Sequence, residues 1–251
     1  MFYDDKNLIK LTKKLFLIEL DTKTDIADQK TCSINKTLDK ISKWKKDGSI
    51  VVFIAGVFDI LHLNHLIALE YYRLLGAKKL LERYPQITTP IAEIACSNKI
   101  RLVVSIDSDL RVSENKFLKS NQKNTKRPAL SWRSRTMMLL KQSFDDHNGN
   151  SHNLVDLAVR HGKDTCQGKR CPHDDNILIA EEINPDVMIL NQKSLESIKL
   201  TKQSKLFKDT KVYLIDENQL TLIDDLLVGP IKTTAILERV ASHLTQLESK
   251  K

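Results

Sequence analysis

No apolar run in this chain approaches the roughly 20 residues that a bilayer core requires, and the mean hydropathy of −0.31 is that of a water-soluble chain. No secretory leader is expected either. Asp4 and Asp5 stand where such a leader needs bases, and the apolar run from Leu15 to Ile18 is too short for its hydrophobic region. Cysteine is scarce: Cys32, Cys96, Cys166 and Cys171 are too few and too scattered for a disulfide framework in 251 residues. Reduced thiols and a cytoplasmic setting are therefore expected. No internal repeat is evident. The formal charge of +8 arises from 40 bases against 32 acids, and the bases are spread along the chain. The densest basic stretch, Lys116 to Arg127, lacks the interleaved aromatics of a single-strand-binding platform. These features argue against a nucleic-acid partner, whereas a mononucleotide's phosphates would be served by the same charges.

The most informative stretch is Val51 to His65. Val51 to Ala55 reads as a buried strand, Gly56 as a turn, and Leu66 to Leu75 as an apolar-periodic helix, with Asp59, His62 and His65 at its mouth. A helix start leaves backbone N–H groups unpaired and carries partial positive charge, so a phosphate is a favoured occupant. His62 and His65 are three residues apart on one face of the first turn, where both imidazoles can meet the same polyphosphate.

Around this stretch the chain reads as alternating strands and helices. Residues 1 to about 48 form a lysine-rich lead-in ending in an amphipathic helix, with Leu38, Ile41 and Trp44 on one face and Gly48 as its stop. Residues from Ala77 to about Cys96 read as an insertion of about twenty residues, because such connections are ordinarily much shorter. Further strands are expected at Arg101 to Ile106, Leu154 to Val159, Val187 to Leu190 and Lys211 to Asp216. Helices are expected at Trp132 to Gln142 and Asn176 to Ile183, a basic loop from Lys116 to Arg127, and a polar loop at Ser143 to Asn153. The fold class is α/β, a doubly wound parallel sheet with an N-terminal helical extension and insertions. Ligands of such sheets sit at the carboxyl ends of the strands, where Asp107, Ser108 and Asp109 fall. Hydroxyls at Thr233 and Thr234 open a last helix running to Val240.

The run Gly56-x-Phe58-Asp59-x-x-His62-x-x-His65 resembles the Gly-x-Phe-Asp-x-x-His-x-Gly-His signature of the cytidylyltransferase-like nucleotidyltransferases, with Asn64 where that family has glycine. Gly229-x-x-Lys232-Thr233-Thr234 is similar to the family's Gly-x-Ser-Thr-Thr motif, with Lys232 in place of serine. Asp107, Lys116, Arg127-Pro128 and Arg135 follow the order of its second strand, basic loop, Arg-Pro turn and arginine-bearing helix. The resemblance covers residues 49 to 245 and is nearest in style to the heptose-1-phosphate adenylyltransferases. It implies transfer of a nucleoside monophosphate from a triphosphate, ATP before CTP, to a phosphorylated small molecule, with release of pyrophosphate. It also implies Mg2+ with the triphosphate and a homodimer. In that reading His62, His65 and Lys232 are catalytic. Gly56, Phe58, Asp59, Asn64, Thr233 and Thr234 bind the nucleotide, and Lys116, Arg135 and Asp107 face the acceptor's phosphate. A second class stays open, a nucleotide-binding or regulatory protein on the same scaffold whose chemistry has lapsed.

One cluster stands apart. His161, Cys166, Cys171 and His173 could encircle a tetrahedral zinc, but the Cys-to-Cys gap is wide and a single residue separates Cys171 from His173. An exposed loop without metal is the preferred reading.

Overall fold

An unbroken apolar run such as Ile50 to Ile54 cannot alternate between core and water, so a strand made from it must be covered on both faces. The computed structural model, which describes residues 23–25, 34–119, 128–145, 149, 151–162, 176–191 and 209–215, covers it in this way. In β2 (Ile50–Gly56), Ile50, Val52 and Ile54 enter one core cluster, while Val51 and Phe53 enter a second on the opposite face.

β2 pairs in parallel with β3 (Ile100–Asp107) along its whole length, from Ile50 opposite Ile100 to Gly56 opposite Ile106. The other strands of the sheet are β1 (Thr24–Asp25), β6 (Leu157–His161), β7 (Val187–Asn191) and β8 (Lys211–Ile215), and the order is β1-β6-β3-β2-β7-β8. All the pairs are parallel. From β2 the chain winds outward through β3 and β6, then returns to lay β7 against the other side of β2. The carboxyl ends of β2 and β7 thus form the switch point of a Rossmann-like, doubly wound sheet, the place where such sheets leave a crevice.

One face is covered by α2 (Leu63–Arg83), α3 (Ile91–Cys96) and α5 (Trp132–Leu140), and the other by α1 (Asn35–Lys46) and α6 (Asn176–Ile183). Ile41 of α1 and Ile179 of α6 meet Phe53 in the second cluster. The lead-in is not wholly helical, since Thr24 and Asp25 add a short edge strand beside Ala158 and Val159.

Several expected boundaries move, each for a visible reason. α2 does not end near Leu75. It continues to Arg83, because Ala77 and Leu80 are fully or almost fully buried and belong to the first cluster. Gly76 permits this: a Cβ there would lie 2.6 Å from Cγ2 of Val52 and 2.9 Å from Cγ2 of Ile100, so the helix backbone presses directly on the sheet. The expected insertion is therefore the end of α2, a short connection and α3. The stretch Ser143 to Asn153 contains an antiparallel hairpin, β4 (Ser143–Asp145) with β5 (Ser151–Asn153), where a loop was expected. β6 starts at Leu157 and not at Leu154, because Asp156 is taken up elsewhere. Its carboxylate accepts from Arg73 Nη1 at 3.0 Å, Arg101 Nη1 at 2.9 Å and the Leu102 amide at 2.8 Å. Finally, Lys116 lies in a helix, α4 (Asp109–Lys119), and not in a loop. Ser108 starts that helix by accepting the Arg111 amide on its hydroxyl, the usual work of an N-cap serine.

Candidate active site

The turn after β2 carries the site. Gly56 faces the ring of Phe58, and a Cβ on it would meet Cε2 of that ring at 2.7 Å. Phe58 has a positive φ of 48°, a conformation that costs a bulky side chain energy and persists only where the surroundings enforce it. His62 takes the N-cap position of α2 with an extended backbone, φ −139° and ψ 169°, and the His65 amide donates to its carbonyl at 3.0 Å.

The two imidazoles come together as expected. Their rings stack with centroids 3.9 Å apart and 28° between planes, and Phe58 leans on His65 with centroids 5.3 Å apart. Burial, and then the neighbouring His62, hold the His65 pKa down at about 4, partly opposed by a hydrogen bond to the Ile60 backbone. His65 is thus neutral at physiological pH, with its single ring N–H directed to the Ile60 backbone and its Nδ1 buried without a hydrogen-bond partner among the described residues. The folded value lies below the 6.5 of an unconstrained imidazole, so between the two the unfolded chain binds the proton first and stability falls with falling pH. Between pH 6.5 and pH 4 this group should remove on the order of 2–3 kcal/mol of stability. His65→Gln should lack that part of the slope. Urea denaturation of both proteins at neutral pH and at pH 4 measures it, and identical slopes would refute the assignment.

Asn64 sits in the first turn of α2 with no positive φ; among the described non-glycine residues that conformation occurs at Phe58 and Asn184. No left-handed geometry is needed at Asn64, so the departure from glycine there strains nothing in the backbone.

Three residues expected at the ligand have other work. Asp59 is 2% exposed, and its Oδ1 accepts from the amides of Ala129 at 2.7 Å and Leu130 at 3.1 Å. It ties the turn to the segment ahead of α5. Asp107 is nearly buried and pairs through Oδ1 with Arg111 Nε at 3.4 Å. Arg135 is fully buried, and the expectation that it faces an acceptor phosphate is corrected by its partners. Its Nε donates to the Leu130 carbonyl at 3.1 Å and Nη1 to the Val57 carbonyl. Its Nη2 donates to the Asp107 carbonyl at 2.6 Å and to Asp109 Oδ1 at 2.8 Å. A guanidinium with those bonds made is a brace joining the β2 turn, the end of β3 and the approach to α5.

Lys116 lies on α4, and its side chain is outside the described residues, as are Lys232, Thr233 and Thr234. Of the zinc candidates, His161 ends β6 opposite Asp107, while Cys166, Cys171 and His173 are also outside them. Among the described residues no three or more His, Cys, Asp or Glu gather as a metal would require. No helix among them is long and apolar enough to cross a membrane.

A cavity of about 300 Å³ opens at this switch point, walled by Ile54 and Gly56 of β2, by His65, Leu69 and Tyr72 of α2, and by Ile189 of β7. Residue-by-residue motif reading missed Leu69 and Tyr72. The signal was available in their spacing, four and seven residues beyond His65, which places all three on one helix face.

Fold and site together define a Rossmann-like α/β domain with a histidine-lipped crevice at its switch point. No family model matches the chain, and no curated protein matches it. Among solved structures it is similar to the lipopolysaccharide core biosynthesis protein from Thermoplasma volcanium GSS1, at 24% identity over 67% of this chain and 97% of that one, with a TM-score of 0.41.

Proposed function

We propose that the chain is a nucleotidyltransferase, moving a nucleoside monophosphate from a triphosphate, ATP before CTP, onto a phosphorylated small-molecule acceptor. The observation that carries this reading is the stacked pair His62 and His65 on the first turn of α2, directly beyond the central strand at the switch point. Such transfer needs in-line attack on the α-phosphate by an acceptor phosphate oxygen and stabilisation of the charge that passes to the departing pyrophosphate. No covalent nucleophile is needed. In this reading the two imidazoles and the helix start line the phosphate chain. Lys232, Thr233 and Thr234 grip its β/γ end, and Lys116 meets the acceptor's phosphate. One carboxylate oxygen each of Asp59, Asp107 and Asp109 answers backbone amides or an arginine. Magnesium would arrive with the triphosphate, bound by its own oxygens, and neutralise part of its charge.

Asn64, a side chain where the resembling family has none, supports a second reading as a nucleotide-binding protein without turnover. Pyrophosphate release, assayed over four triphosphates and a panel of phosphosugars, separates the two. Turnover by the wild type is expected, with Asn64→Gly changing nucleotide affinity less than about tenfold, or 1.4 kcal/mol. An inert wild type that gains turnover with Asn64→Gly would instead support the second reading.

A further inference from the structure

Tyr72 carries a hydroxyl that the fold does not use. The residue is 7% exposed and lines the switch-point cavity. Its ring packs in the first core cluster, with the Tyr71 ring 6.2 Å away between centroids, and its hydroxyl makes no hydrogen bond among the described residues. The hydroxyl is not among the fully enclosed polar atoms left without a partner, so it opens onto the cavity, where a ligand can meet it. Side chains on a helix lean toward its N-terminus, so Tyr72 leans along the cavity wall toward His65, two turns up the same face. Burial pushes its pKa up to about 12, which keeps the proton on the oxygen at any working pH.

The cavity's other walls decide what the hydroxyl meets. None of the lining residues carries a formal charge at neutral pH, and most are aliphatic or aromatic. Beyond His65 these walls offer a triphosphate's anionic chain little to bind. An uncharged flat ring fits, and His65, which lies both on the phosphate side and on the cavity wall, places such a ring within a ribose's reach of bound phosphates. We propose that Tyr72 is a specificity-determining residue whose hydroxyl donates a hydrogen bond to a ring nitrogen or carbonyl oxygen of the triphosphate's base, seated in this cavity. The inference rests on the triphosphate reading above and extends it to the base.

The test is Tyr72→Phe, with binding of ATP, CTP and inorganic tripolyphosphate measured by calorimetry. The variant should melt no lower than the wild type, since no internal bond is lost. It should bind the better of ATP and CTP roughly fivefold to tenfold more weakly, as one lost hydrogen bond predicts, and bind tripolyphosphate unchanged. Unaltered nucleotide affinity, or an equal loss for tripolyphosphate, would overturn the proposal. A wild type that binds tripolyphosphate as tightly as either nucleotide would overturn it too, while leaving the phosphate site standing. A wild type that binds none of the three sinks the triphosphate reading, and the role of Tyr72 with it.

Discussion

Arg135→Met should destabilise the protein by roughly 3–5 kcal/mol, the largest loss expected of any single change considered. The methionine fills much of the same volume without a donor, so the carbonyls of Val57, Asp107 and Leu130 lose their partner in a place where Arg135 itself is fully buried. The ion pair with Asp109 contributes little to that figure, because the Asp109 side chain is 45% exposed and can turn to water. Asp109→Asn should therefore cost less than about 1 kcal/mol. Urea titration gives both numbers. A loss below about 1 kcal/mol for Arg135→Met would mean that water replaces the guanidinium at those carbonyls and that the brace is not needed.

The double variant His62→Ala/His65→Ala should lose nearly all stabilisation by triphosphate. A ligand present at a hundred times its Kd raises the stability of a folded protein by about 2.7 kcal/mol, and that increment should vanish if the pair holds the phosphates. The unliganded variant should still fold. The two rings sit at the helix mouth with their stacking directed at each other, and the braces that fix the turn, Arg135 on Val57 and Asp59 on Ala129 and Leu130, are untouched. Thermal melts with and without ATP and magnesium decide the matter. A full ATP shift in the double variant would remove the pair from the site.

The parts legible in the sequence are those where one local rule acts alone. The β2 run has to be a doubly covered strand, and Asn176–Ile183 reads as a helix because Ile179, Ala180 and Ile183 all turn inward. The two histidines meet because helical spacing dictates it. The misread parts are those decided at a distance. Gly76, an ordinary helix breaker in sequence, is kept in α2 by two side chains on neighbouring strands. Asp156 cuts a strand short because it serves two arginines, one of them 83 residues earlier in the chain. Arg135 shows the limit most plainly. Its setting on an apolar helix face called for an acid or a phosphate, and the fold answers instead with one acid and three backbone carbonyls, which no motif can announce.

β3 is held at both ends by the same device. At its start the Ile100 carbonyl accepts from Nη2 of Arg73 at 3.0 Å, and at its finish the Asp107 carbonyl accepts from Nη2 of Arg135. Strands commonly begin to open by fraying at a terminus, where the last backbone groups are tied least. β3 has no such loose end. The arginines belong to α2 and α5, so the strand cannot peel away unless a helix leaves with it, and opening becomes an event of the whole layer. The turn that positions His62 and His65 is fastened to that layer through Val57, which leaves the histidine side of the crevice without a soft path to local unfolding.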